Sequence, residues 1–216
     1  MGARRLAATA AAPLVLLALS ASASASAACP ADGIEPTNAT GSDAALAVVC
    51  DMNVMRAERG LEPLRWDGRL SSGAQRMAAD IAERQYFSHV TPDGRRLVDR
   101  IAPTGYIRGA STLLAENLGW GMNDFSSPRA IVLGWMDSAG HRRNVLDPAM
   151  RDVGVGVAEG AVSDGGPTGV IYVADFGRRG TARASVHKRW PSRSFSKVTS
   201  SSGWSARLTT RMRFWR

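Results

Sequence analysis

The chain has 216 residues, with 27 Lys and Arg against 19 Asp and Glu, and a formal net charge of +8. The excess sits at the ends: eleven bases follow Gly177 with no acid among them, Arg4 and Arg5 open the chain, and residues 29–177 hold 14 bases against 19 acids. The folded part is therefore mildly acidic, nucleic acid is not an expected partner, and no stretch beyond the N-terminus approaches the roughly 20 apolar residues of a membrane span.

Arg4 and Arg5 precede an apolar run from Leu6 to Leu19, and Ala21 to Ala28 is a ladder of Ala and Ser. This order reads as a secretory signal peptide over 1–28 with cleavage before Cys29, which predicts a secreted protein. About 188 residues remain, enough for one domain. The only cysteines, Cys29 and Cys50, are both in this mature part. In an oxidising compartment they read as a disulfide closing a loop of about 20 residues, worth roughly 3 kcal/mol. The competing reading, a lipidated Cys29, wants a large apolar residue three positions earlier, where Ser26 stands. Heavy Ala and Arg usage with two Lys suggests a high-GC bacterial source.

Residues 29–43 form a lead-in without periodicity. Ser42 or Asp43 can cap a helix reaching Arg59, with Gly60 as its stop and Leu46, Val49, Asn53 and Arg56 on one face. Leu61 to Trp66 is extended. Asp67 caps a second helix ending near Gln85, with Leu70, Ala74, Met77, Ala78 and Ile81 as its apolar stripe. Leu97, Val98 and Ile101 predict a short helix closed by Pro103 and Gly105. Leu113 to Gly119 is extended. Ser127-Pro128 starts a third main helix through Trp135 to about Ser138, with His141 just beyond its end. Val153 to Ala158 and Val170 to Phe176 form an antiparallel hairpin. Helices first and strands last predict a layered α+β domain over 44–177 without internal repeats. Residues 178–216 read as a basic, disordered tail; its alternating basic and aromatic residues suit an anionic cell-envelope polymer or nucleic acid, against the plainer and favoured reading of a solvated tail of little function.

Three histidines occur, and His187 lies in the tail. His89 follows Tyr86-Phe87-Ser88, and His141 sits in Trp135-Met136-Asp137-Ser138-Ala139-Gly140-His141-Arg142-Arg143-Asn144. Glu116 is the only Glu between Glu83 and Glu159, and its apolar setting makes a carboxylate costly unless paired. There is no His-Glu-x-x-His run, Cys cluster, Gly-x-Ser-x-Gly or phosphate loop.

Taken in order, Phe87-Ser88-His89, Glu116-Asn117-Leu118, Trp135-x-x-Ser138-x-Gly140-His141-Arg142-x-Asn144, Gly154-Val155-Gly156 and Tyr172-Val173-x-Asp175-Phe176-Gly177 resemble the CAP superfamily. Its members are the cysteine-rich secretory, antigen 5 and pathogenesis-related 1 proteins. Asn53-x-x-Arg56 and Gly60-Leu61-x-Pro63-Leu64 fit as well. The resemblance implies an α-β-α sandwich with a short antiparallel sheet between helical layers. It also implies a cleft with two His and two acids. His89, Glu116 and His141 carry over; the second acid, a Glu three residues after the helix Trp in eukaryotic members, falls on Ser138.

Three functions compete. One is a non-catalytic module binding a lipid, a sterol-like ligand or an envelope partner in a cleft formed by His89, Glu116, Ser138 and His141 and walled by Phe87, Leu118 and Trp135. Another is a divalent metal such as zinc on His89, Glu116 and His141. The third is a hydrolase using Ser138 or Ser88 with His and Glu. Asn117 and Asn144 are expected to satisfy buried backbone groups, Arg142 to pair with Asp175, and Gly154, Gly156 and Gly177 to permit close packing.

Overall fold

The computed structural model describes Cys29, residues 41–108 and 111–180, and the strand Met212–Arg213. The signal-peptide segment and most of the basic tail lie outside these residues. Helix α1 (Gly41–Ala57) carries Asp43 in its first turn and Arg56 in its last, matching the helix dipole. Gly60 takes φ +65° just beyond it, the left-handed conformation a non-glycine residue adopts only at a cost. Its buried stripe is Ala44, Ala45, Val48, Met52 and Arg56, while Leu46 faces solvent at 52% exposure. The expected face was therefore rotated: small alanines, rather than Leu46, let α1 approach the core. Cys29 and Cys50 form the expected disulfide, tying the lead-in to α1.

Asp67 caps helix α2 (Gly68–Arg84) by accepting from the Arg69 N–H, and Gln85 closes it in the left-handed region. Leu70, Ala74, Met77, Ala78 and Ile81 are all buried, as the 3.6-residue period requires. Helix α3 (Leu97–Ile101) continues into a 3-10 turn over Ala102–Thr104. Ser127 accepts from the Ala130 N–H at the start of α4 (Pro128–Asp137). The chain does not then unwind, as the sequence reading had it. It bends at Ser138 and enters α5 (Ala139–Leu146), so His141 lies within a helix.

The strands β1 (Arg65–Trp66), β2 (Thr112–Gly121), β3 (Asp152–Gly160), β4 (Gly169–Arg179) and β5 (Met212–Arg213) form one sheet in the order β1-β3-β4-β2-β5. Its main ladders are antiparallel, but β1 joins β3 in parallel, so the sheet is mixed. β4 runs past the expected boundary at Gly177, pairing Arg178 with Leu113 and Arg179 with Thr112. The tail also contributes β5, antiparallel to Trp120 and Gly121.

Helices cover both faces. Val170, Tyr172, Ala174 and Phe176 pack in one core cluster with α1, α4 and α5. Ile171 and Val173 pack with α2, Leu118 and Trp120. Burial on both sides explains why β4 reads as a continuous apolar run. The close approach of α2 depends on two glycines of β3. A Cβ on Gly154 would sit 1.9 Å from the Ser71 nitrogen, and one on Gly156 would sit 2.2 Å from that of Gln75. The Gln75 amide then bonds both the carbonyl and the N–H of Val157, at 2.9 and 3.0 Å, which satisfies the strand there.

Two motif residues near the N-terminus do similar work. Asn53 imitates a backbone partner for Leu64, donating to its carbonyl at 3.0 Å and accepting from its N–H at 2.7 Å. Arg56 is fully buried and donates to the carbonyls of Glu62, Val145 and Asp147. Burial pushes its guanidinium down from the ordinary value. Asn53 thus ties α1 to the segment before β1, Arg56 ties it to the end of α5, and both are structural.

Candidate functional site

The site is built on the edge of β2. Backbone carbonyls at a free edge need partners when buried, and two motif residues supply them: Trp135 Nε1 donates to Leu118 O at 2.9 Å, and Asn144 Nδ2 donates to Glu116 O at 3.2 Å. Asn144 also donates to Asn117 Oδ1 at 2.9 Å, and Asn117 donates to His141 O at 3.1 Å. The two asparagines thus have the backbone-satisfying role expected of them. Together with Trp135 they dock α4 and α5 against β2 and bring His141 to the strand that carries Glu116.

Glu116 lies within β2 rather than at a strand end, with its side chain 3% exposed. His89 Nδ1 donates to Oε1 at 2.7 Å, and Arg100 Nη2 donates to Oε2 at 2.7 Å. Arg100 also reaches the His89 carbonyl at 3.4 Å. Because the carboxylate only accepts, Nδ1 carries the proton and Nε2 of a neutral His89 is an acceptor. The His89 side chain is 35% exposed, so it is the member of this network that meets solvent. His141 is buried, and burial followed by the proximity of His89 pushes its imidazole down to about 4. It is neutral at physiological pH.

The sequence reading missed Arg100 and misplaced Asp175. Arg100 is buried on α3; three residues after Leu97 and adjacent to Ile101, it shares their inward face, a signal present in the helical period. Asp175 is the register partner of Glu116 across the β2–β4 ladder and is fully buried. Desolvation, then the Glu116 charge, raises its carboxyl well above the ordinary range. It does not pair with Arg142, which donates to Met136 O at 2.7 Å. Its alternation with Ile171 and Val173 could have placed it on the α2 face. Arg100 sets one positive charge beside Glu116 and Asp175, which is how the two carboxyl groups share one buried place.

Ser138 joins α4 to α5. Its backbone N–H donates to Trp135 O at 3.3 Å and its carbonyl accepts from Arg142 N at 2.8 Å, while its hydroxyl caps neither helix. The Ser88 hydroxyl accepts from Val90 N. Neither hydroxyl is hydrogen-bonded to a histidine among the described residues. Phe87, Leu118 and Trp135 do not wall an open cleft; they are buried, two of them completely, inside the core. The nearest cavity, about 420 Å³, lies between α2 and α3 and is lined by Gly73, Met77, Thr91, Arg95, Arg100 and Pro103.

Residues 51–176 match the CAP family, the cysteine-rich secretory protein family. YkwD of Bacillus subtilis (strain 168) is 33% identical over 107 residues, which is 50% of this chain and 39% of that protein. The membrane protein YlbC of the same organism is 34% identical over 105 residues, 49% of this chain and 29% of that protein. The chain thus matches less than half the length of these curated relatives. The crystal structure of an extracellular protein containing an SCP domain from Bacillus anthracis str. Ames is similar with a TM-score of 0.53 and 25% identity, over 65% of this chain and 44% of that one. With the family match spanning more than half of its residues and the α+β sandwich in place, the chain belongs to the CAP family of cysteine-rich secretory proteins.

Proposed function

We propose that this chain is a secreted, non-catalytic binding module that meets its partner through His89 and the surface around it. The observation that carries this reading is the commitment of Glu116. Both of its oxygens are already bonded, one to His89 and one to Arg100, so Glu116 serves to hold the His89 imidazole, and with no nucleophile hydrogen-bonded to that imidazole among the described residues the pair favours recognition over proton transfer. Neither serine hydroxyl is hydrogen-bonded to a histidine among the described residues, which weighs against the hydrolase. Trp135 and Leu118 belong to the core, which weighs against an open apolar slot for a lipid or sterol. The cavity next to Arg100 is rimmed by charged groups, among them Asp80, Glu83 and Arg76, and favours a polar ligand or an envelope partner.

The residues do not fit a three-ligand metal site as folded. Among the described residues no group of three His, Cys, Asp or Glu side chains is placed to hold an ion, and Arg100 stands against Glu116 where a cation would bind. Zinc titrated into the protein should therefore give no stoichiometric heat. A site lost in both His89→Ala and His141→Ala would reinstate the metal.

Binding of full-length protein to isolated cell envelopes tests the main proposal. His89→Ala, which leaves the Arg100–Glu116 pair in place, should abolish most of the retention while lowering the melting temperature only modestly, since Glu116 Oε1 loses its donor. Unchanged retention would remove His89 from the binding surface, and peptide or ester turnover abolished by Ser138→Ala would replace the reading with the hydrolase.

A further inference from the structure

A second surface, at the end of the sheet where β2 begins and β4 finishes, goes beyond the His89 reading. The start of β1, the start of β3 and the end of β4 converge there, next to the segment that leads into β2. A pocket of about 290 Å³ is lined by Arg65, Arg108, Arg151, Asp152, Arg178 and Arg179. Five guanidinium groups thus surround one carboxylate, on a folded region whose net charge is negative. Composition hides this, because Arg178 and Arg179 are counted with the tail by sequence and with the sheet by structure.

The one acid is already committed. Asp152 is buried and accepts from Arg65 Nη2 at 2.9 Å and from the Tyr106 hydroxyl at 2.8 Å, with Arg179 Nε at 4.0 Å. Arg179 also lies 5.3 Å from the centre of the Tyr106 ring, and Arg151 donates through Nη1 to the carbonyls of Pro148 and Met150. These contacts position three of the arginines before any ligand arrives. Arg108 and Arg178 are exposed, and their guanidinium groups make no hydrogen bond or ion pair among the described residues. Guanidinium groups gathered this way repel one another unless an anion joins them, and their planar forks suit phosphate oxygens.

We propose that this corner is a docking site for a polyol-phosphate chain, a polymer of phosphodiesters without bases, in the cell envelope. One observation favours it over nucleic acid. Among the described residues no exposed aromatic ring lines the pocket to stack a base: Tyr106 is fully buried and held between Arg69 and Arg179. Residues 181–216, which follow β4 in sequence, add nine further Lys and Arg and no acid.

The test uses full-length protein and poly(glycerol phosphate), with single-stranded DNA of equal phosphate number and phosphatidylglycerol vesicles as comparators. Wild type should bind the polyol phosphate more tightly than the DNA or the vesicles, with affinity falling as salt rises. Arg108→Gln/Arg178→Gln should weaken binding by roughly tenfold to thirtyfold and lower the salt slope by about 1.5. A tail variant with Lys188, Arg189, Arg193 and Lys197 changed to Gln should still lose affinity when the pocket substitutions are added. Unchanged affinity in the pocket variant overturns the proposal, as does absence of binding by wild type. Tighter binding to DNA or vesicles replaces the partner and overturns it equally. Both pocket residues are exposed, so an unchanged melting temperature is expected and separates lost binding from lost fold. None of these residues touches His89, so either surface can fail without the other.

Discussion

Replacing Arg100 by Met would remove the only cation buried against two carboxyl groups while keeping most of the side-chain volume. Glu116 would lose the donor to Oε2 and keep His89 at Oε1, and Asp175 would lose the charge that offsets its neighbour. Breaking a buried pair typically costs 3–5 kcal/mol. The surviving His89 bond puts this case at the lower end, about 3 kcal/mol at pH 7. With a urea m-value of about 2 kcal/mol/M for a domain this size, the midpoint should fall by about 1.5 M. Urea unfolding followed by fluorescence of the buried Trp120 and Trp135 measures it. The loss should shrink towards pH 5, where neutralising a carboxyl is cheaper, and Arg100→Met/Glu116→Gln should recover most of it. A midpoint shift below about 0.5 M, or no recovery in the double variant, would refute the claim that Arg100 neutralises this cluster.

His141 has a folded value of about 4 against 6.5 unfolded, so its contribution is complete above 6.5 and is lost as pH falls towards 4, up to roughly 3 kcal/mol. Asp175 acts in the opposite sense: raised on folding, it removes stability as pH increases, so His141→Asn and Asp175→Asn should tilt the stability–pH curve in opposite directions. Gly156→Ala would place a Cβ 2.2 Å from the Gln75 nitrogen and should cost about 1–3 kcal/mol by forcing α2 off the sheet. Gly140→Ala, with open space around it on α5, should instead be neutral or stabilising by up to about 1 kcal/mol in the same melts. Cys29→Ser/Cys50→Ser opens a loop spanning 21 positions and should lower stability by about 3 kcal/mol, read as a melting shift that reductant reproduces in wild type.

Much of the fold was legible because local chemistry marked it. Asp67 and Ser127 announced two helix starts, the period of Leu70 to Ile81 gave the inner face of α2, and Gly60 gave the turn after α1. What escaped depends on groups distant in sequence. Leu46 looked like core, yet the face of α1 that packs is set by which neighbours allow close approach, and alanines won. His141 looked like a residue beyond a helix because Ser138 reads as a stop; the bend there is followed at once by α5, whose docking comes from Asn144 and Asn117 on β2. The site was half legible. His89, Glu116 and His141 stood out by rarity and motif, whereas Arg100 is one of many arginines and only its burial distinguishes it.

The substitution at Ser138 seemed to leave the site one acid short. The structure locates a second carboxyl elsewhere: Asp175 sits directly across the ladder from Glu116. Its setting differs in the respect that matters for chemistry. A carboxylate beside Glu116 at the cleft surface would add negative charge that a cation could neutralise. Asp175 is fully buried with its carboxyl raised well above the ordinary range, and Arg100 sets its positive charge beside both acids. His89 is the member of the cluster that meets solvent. An arrangement of this kind is suited to holding one imidazole in a fixed tautomer and orientation. That serves the recognition proposed for this surface, with Glu116 as the anchor of the imidazole.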